Sequence, residues 1–288
     1  MDRVRLFDAH CHIGAFGTQH LKGNDIHIFS SREVPDGRAQ AEHMQQRGIT
    51  ACVAVPHYTP DPFYPFTTLN PVVLEAVEFH PQILGGLWVN PMPECSKHTQ
   101  QVLESLRSHK PKGIVALKMS PNAWQVSYSP NPDSWTGEFR KNMHKILTTA
   151  QDLDMVLHMH TGDGRSSISK YEKFVQHYGK DIRVQLVHMG GTAAGIFWLV
   201  PRFAEWVRQG YKIYTDTSWC VDFGPNFMVD YLCKHNLEAL SHLLFASDHP
   251  WGSVEAQVAK IQSIPCEDAI KRKIFWENAA VLYNVKGF

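Results

Sequence analysis

Residues 6–14, LFDAHCHIG, set three side chains able to hold a metal or move a proton, Asp8, His10 and His12, at every second position. In an extended strand alternate side chains share one side, so His10 and His12 project together and can reach a single ion at Zn–N distances of about 2.0–2.1 Å. Cys11, between them, points to the other side and is expected to pack rather than ligate. LHMHTG repeats the device with His158 and His160. His160 lies nearer the following loop and is the expected ligand, with His158 packed one layer deeper or supporting the site. Further along, Lys118 stands in ALKMS, His188 in VHMGG, Asp216 in YTDTS and Asp248 in FASDHPWG. Asp248 offers a carboxylate suited to bind metal or to accept a proton from metal-bound water. One histidine in an apolar strand is ordinarily a core residue satisfied by backbone groups. Several strand ends bearing His or Asp read differently, because each imidazole buried without a partner would cost about 1–3 kcal/mol.

These residues fall at the ends of short β-rich runs. Eight are recognised, over residues 4–10, 50–57, 83–91, 113–120, 154–160, 182–188, 211–218 and 242–248. Segments with apolar spacing of three and four lie between them, including AQAEHMQQRG, TQQVLESLRSH and FRKNMHKILTTAQDL, and several stop at glycine as helix C-termini commonly do. Near-continuous apolar strands alternating with helices suit a parallel sheet covered on both faces. Eight βα units in 288 residues predict one α/β domain, a single (β/α)8 TIM barrel spanning residues 1–288. An open doubly wound sheet would ordinarily carry a glycine-rich phosphate loop after an early strand, and neither GxGxxG nor GxxxxGK[ST] occurs. In a barrel the reactive groups gather at the C-terminal strand ends, where His10, His12, Lys118, His160, His188, Asp216 and Asp248 stand. The Pro- and aromatic-rich stretch 56–71 is expected to be a loop over one barrel end.

Composition narrows the partners. Lys plus Arg and Asp plus Glu balance at 28 each, leaving no net field to hold nucleic acid or an anionic membrane. No run of 18 uncharged apolar residues and no basic-then-apolar leader is present, so a cytoplasmic protein acting on a small molecule is expected. The six cysteines are widely and irregularly spaced, without a CxxC pair, and are expected to be reduced and mostly buried. Histidine, at 17 residues, is the unusual count and directs attention to the strand ends.

Taken in order, HCHIG after strand 1, HTG after strand 5, HMGG after strand 6, SDHPW after strand 8 and the C-terminal FWENAAVLYN resemble the amidohydrolase superfamily, and specifically its amidohydrolase-2 branch. That branch includes lactone and amide hydrolases as well as non-oxidative aromatic decarboxylases. The resemblance runs from residue 7 to about residue 284. It implies a distorted (β/α)8 barrel closed by a C-terminal helix and holding one or two divalent ions, zinc first, with manganese or iron as alternatives. His10, His12, His160, His188 and Asp248 match the metal-binding positions. Lys118 matches the strand 4 position where a carboxylated lysine or a glutamate bridges two ions in binuclear members; the alternatives for a plain lysine there are binding of a substrate carboxylate or simply a residue typical of this branch. Asp8 is expected to orient a ligand through a hydrogen bond. Homo-oligomers are common among such barrels.

The chemistry implied is hydrolysis. A bound ion lowers the pKa of water from about 15.7 toward about 7, and the resulting hydroxide attacks a carbonyl carbon. Asp248 would carry the proton to the leaving group, while His188 hydrogen-bonds or polarises the carbonyl oxygen or binds a second ion. Part of the decarboxylase subgroup carries a glutamate arrangement near the N-terminus that is missing here, which favours hydrolysis over decarboxylation on the same metal. A non-catalytic barrel would have lost ligands, and a related metal-dependent nuclease would carry a strand 4 glutamate in place of Lys118. Trp124, Trp135, Arg165, Trp219, His249 and Trp251 follow strand ends and are candidates for contact with a small, planar or cyclic, carboxylate-bearing substrate.

Overall fold

The computed structural model of the protein describes residues 5–14, 18–21, 24–27, 34–57 and 69–285. The chain enters through β1 (Leu6–Ile13), followed by a hairpin of β2 (Thr18–Leu21) and β3 (Asn24–His27), then α1 (Gly37–Arg47) and β4 (Ile49–Pro56). Regular alternation continues through α2 (Asn70–Phe79), β5 (Ile83–Trp88), α3 (Ser96–Ser108), β6 (Ile114–Met119), α4 (Gly137–Asp152) and β7 (Val156–His160). Then come α5 (Glu172–Tyr178), β8 (Val184–Val187), α6 (Ala193–Arg208), β9 (Ile213–Asp216), α7 (Gly224–His235) and β10 (Leu243–Leu244), with α8 (Val254–Gln262), α9 (Asp268–Arg272) and α10 (Asn278–Leu282) at the end. Local signals set several of these boundaries. Asp36 caps α1 by accepting from Ala39 N at 2.8 Å, and Gly48 ends it in the left-handed conformation, φ 69°, that glycine adopts without a Cβ clash. Much of the predicted loop 56–71 lies outside the described residues.

β1, β4, β5, β6, β7, β8, β9 and β10 form one parallel sheet in that order, the (β/α)8 barrel predicted from the sequence. The seam is the irregular part. The last strand was expected over residues 242–248, yet only Leu243 and Leu244 join the β9 ladder. Beyond them the chain bonds to β1 instead: Ala9 N donates to Phe245 O at 2.9 Å, Asp248 N to His10 O at 2.9 Å and His12 N to His249 O at 2.8 Å. The register of β1 against β4 also shifts between Asp8 and Cys11. The distortion therefore lies where the His10–His12 pair meets Asp248.

Two apolar layers hold the barrel. The larger fills the space between strands and helices, and Cys11 belongs to it, beside Cys52 and Met44. The smaller plugs the barrel floor, where Phe7, Val53, Leu84, Val156 and Leu244 meet Ala279, Leu282 and Tyr283 of the C-terminal segment. That segment runs from α9 through a π-helical turn, Lys273–Glu277, into α10. Asn278 anchors it by donating from Nδ2 to Leu240 O and Leu243 O at 2.8 and 2.7 Å. Among the described residues no helix is long and apolar enough to cross a membrane.

Candidate functional site

At the C-terminal end of the strands the backbone delivers histidines from three strand ends and an aspartate from the seam to one point. His10 Nε2 lies 3.4 Å from Asp248 Oδ1, and His12 Nε2 lies 3.2 Å from the same oxygen. Ligand atoms of His10, His188 and Asp248 all fall within 4.8 Å of one another. His160 stands at the rim, its ring 4.8 Å from that of His188. Burial holds the imidazoles of His10, His160 and His188 well below the usual histidine range, with Lys118 and neighbouring histidines adding to the effect. They are therefore neutral at pH 7, the form that ligates a metal.

The backbone is strained at this point. His188, Trp219 and Asp248 take φ values of 75°, 43° and 55°, a region that costs a non-glycine residue about 1–3 kcal/mol. All three line one cavity of about 230 Å³, together with Lys118 and the indoles of Trp88 and Trp251. Lys118 is buried at its floor, Nζ 3.4 Å from His10 Nε2 and 5.9 Å from the centre of the Trp88 ring. Burial pushes its amine down to about 8, with Asp248 and Asp216 pulling the other way.

Several expected roles change. Asp8 was expected to orient a ligand imidazole, but its carboxylate takes Ser247 N at 2.8 Å and Ser247 Oγ at 2.5 Å, and its contact with His10 is to the backbone N at 3.4 Å. It thereby ties β1 to the residue before Asp248, and His10 Nδ1 is buried with no hydrogen-bond partner among the described residues. Burial raises the Asp8 carboxyl to about 7, against the pull of the Ser247 hydrogen bonds. Arg165 and Trp124 do not line the cavity. Arg165 Nη1 donates to Trp124 O and faces a separate recess with Met92 and Cys95. Trp124 packs edge-on against Phe139 at 5.2 Å, and Trp135 stacks on Tyr178 at 5.8 Å, both in the outer core. His249 turns away from Asp248 and packs on His43 with ring centres 3.9 Å apart. Trp219 and Trp251 do line the cavity, and Trp219 is 55% exposed at its mouth.

His158 sits level with Lys118 in the β6–β7 ladder, its Nε2 2.6 Å from the Tyr283 hydroxyl. Sequence reasoning passed over the residues that surround these groups, namely Ser247, Ser218, Gln185, Tyr283 and the cavity-lining Trp88, Ser120, Asn122 and Asp163. DTS after strand 7 held a usable signal. There Asp216 and Ser218 stand two apart at a strand end, as His10 and His12 do.

A family model for amidohydrolases, that of the amidohydrolase-2 branch, matches residues 8–285. Among proteins of curated function none matches the sequence. Among solved structures, a probable 2-pyrone-4,6-dicarboxylic acid hydrolase from Acinetobacter baumannii is 15% identical, with a TM-score of 0.67 over 97% of this chain and 99% of that one. 5-Carboxyvanillate decarboxylase from Sphingomonas paucimobilis is 13% identical, with a TM-score of 0.66 over 99% and 100%. A dihydroxybenzoic acid decarboxylase from Polaromonas, with bound manganese and 2-nitroresorcinol, is 14% identical, with a TM-score of 0.65 over 99% and 98%. At such identities the likeness establishes a shared fold.

Proposed function

The chain belongs to the amidohydrolase-2 family, and from that premise we propose a metal-dependent hydrolase that cleaves an amide, lactone or ester in a small carboxylate-bearing substrate. One observation carries the metal. Pro56 O can only accept a hydrogen bond, so His12 Nδ1, 3.1 Å away, carries the ring proton. That leaves Nε2, 3.2 Å from Asp248 Oδ1, as the nitrogen through which the ring can ligate, and His10 Nε2 approaches the same oxygen to 3.4 Å. A divalent cation among these atoms would take all three as ligands. Two ligands on a tetrahedral ion with bonds of 2.0–2.2 Å are about 3.4 Å apart, so both separations from Asp248 Oδ1 fit a divalent ion. His10, His12 and Asp248 would hold it, with His188 completing the set and His160 at the rim. Zinc suits these donors, as do manganese and iron, and the manganese in the Polaromonas relative supports that range.

When bound, such an ion supplies Lewis acidity toward a carbonyl and makes a water acidic enough to act as nucleophile near neutral pH. Asp248 accepts the proton of the attacking water and returns it to the leaving group. Its orientation for this comes from the Asp8–Ser247 clamp immediately before it. Lys118, the one Lys or Arg among the described residues of the cavity, holds a substrate carboxylate, and Trp88, Trp219 and Trp251 wall a flat ring and exclude water. The balanced charge of the chain agrees with an enzyme for small molecules rather than nucleic acid or membrane, and a cytoplasmic homo-oligomer is part of the same proposal.

Decarboxylation is the second reading, and the position of Lys118 favours it. A carboxylate held by its Nζ, 3.4 Å from His10 Nε2, lies beside the reacting centre rather than at a remote end of the substrate. Turnover of carboxylated pyrone lactones and hydroxybenzoates in ¹⁸O-labelled water separates the two. Hydrolysis puts ¹⁸O into the product without releasing CO2. Release of CO2 with no ¹⁸O in the organic product would replace hydrolysis with decarboxylation, and inertness toward every member of the panel at full metal occupancy would overturn the substrate class.

A further inference from the structure

Behind the cavity wall runs a chain of hydrogen bonds whose direction one group dictates. Asp216, at the end of β9 and buried, accepts four donors among the described residues. Gln185 Nε2 reaches Oδ2 at 2.7 Å, while His188 N, Ser218 N and Ser218 Oγ reach Oδ1 at 3.2, 3.0 and 2.5 Å. Two of these are backbone N–H groups, which cannot reverse, and four donors on two oxygens satisfy an ionised carboxylate. Burial pushes the Asp216 carboxyl up from its ordinary value, and the same donors pull it back.

Proton positions follow from there outward. Ser218 spends its single hydroxyl proton on Asp216, so toward His188 Nδ1, 2.8 Å away, its oxygen can only accept. His188 is therefore protonated on Nδ1 and turns the Nε2 lone pair toward the cavity. In the other direction, Asp216 holds the amide nitrogen of Gln185, leaving Oε1 to accept from the Tyr283 hydroxyl at 2.5 Å. With that proton committed, the Tyr283 oxygen accepts from His158 Nε2 at 2.6 Å.

We propose that Asp216 is a positioning residue that fixes the tautomers of two histidines, His188 through Ser218 and His158 through Gln185 and Tyr283. Neutral His188 then has no proton to give a substrate oxygen from Nε2. Of the roles open to it from sequence, hydrogen-bond donor to the carbonyl is removed, and metal ligand remains. The backbone of His188 is held by the same carboxylate, so ring and main chain are set together. The tautomer assignment stands independently of the proposed reaction; only the use of the lone pair by a metal rests on that reading.

Long-range ¹H–¹⁵N correlation spectra of metal-free, ¹⁵N-histidine-labelled protein read the tautomers directly, and calorimetry with Zn²⁺ alone reads the affinity. The expected wild-type result is His188 protonated at Nδ1 and His158 at Nε2. In Ser218→Ala the His188 proton redistributes to Nε2 and Zn²⁺ affinity drops about 10- to 100-fold, the usual effect of losing a group that orients a ligand. Ser218→Thr, which keeps the hydroxyl, restores both. Wild-type His188 protonated at Nε2 would overturn the proposal whether or not the variants fold, and so would a tautomer unchanged in a folded Ser218→Ala. A tautomer shift with unchanged Zn²⁺ affinity would support the positioning role and overturn the ligand reading of His188.

Discussion

At the floor of the barrel Phe7, Val53, Leu84, Val156 and Leu244 meet Leu282 and Tyr283 in an apolar layer, whereas at the mouth the same strands and the loops that follow them deliver His10, His12, Lys118, His188 and Asp248 to one cavity or its wall. Each large apolar side chain buried at the floor contributes about 1.5–3 kcal/mol. The mouth collects the opposite: neutral imidazoles, a desolvated lysine and three left-handed residues, every one a cost to folding. One end of the strands thus stabilises what the other end spends on chemistry. Tyr283 belongs to both, its ring stacked 5.7 Å from Phe7 while its hydroxyl reaches Gln185 and His158.

The largest expected effect tests the mouth. Asp248→Asn keeps the shape of the carboxylate but cannot carry a proton, so kcat should fall by about 10²–10⁴. The melting temperature of the metal-free protein should hold, since the effect of a weakened metal site is then left out. Initial rates and calorimetric melting check both halves, and near-full turnover in this variant would remove Asp248 from proton transfer. A smaller effect tests the floor. Phe7, fully buried against Tyr283 and Trp276, should cost about 3–5 kcal/mol when changed to Ala, with turnover per folded molecule little altered. Urea unfolding and rates normalised to folded protein would show this. A large loss of kcat without loss of stability would break the division between the two ends.

What could be read from the sequence follows the same division. Strands impose a period of two, so the barrel, the shared side of His10 and His12 and the outward turn of Cys11 follow from spacing alone. Loops impose no period. Arg165 and Trp124 follow strand ends as Trp219 and Trp251 do, yet Arg165 is drawn to the Trp124 carbonyl and the Trp124 ring to Phe139, contacts set by tertiary packing. Asp8 misled for a related reason. It shares the side of His10, but the seam brings Ser247 N and Oγ to its carboxylate at 2.8 and 2.5 Å. Gln185 and Tyr283 stand 98 residues apart and meet only because the C-terminal helix folds under the barrel.

The proposed chemistry depends on a divalent ion held at the mouth between His10, His12 and Asp248. Anomalous diffraction at the absorption edge of zinc or manganese, from crystals grown with that metal, tests it most directly. The expected result is a peak bonded to both Nε2 atoms and to the Asp248 carboxylate, within reach of His188, and its loss in His12→Gln. A peak elsewhere in the barrel, or full occupancy retained at this point in His12→Gln, would contradict it.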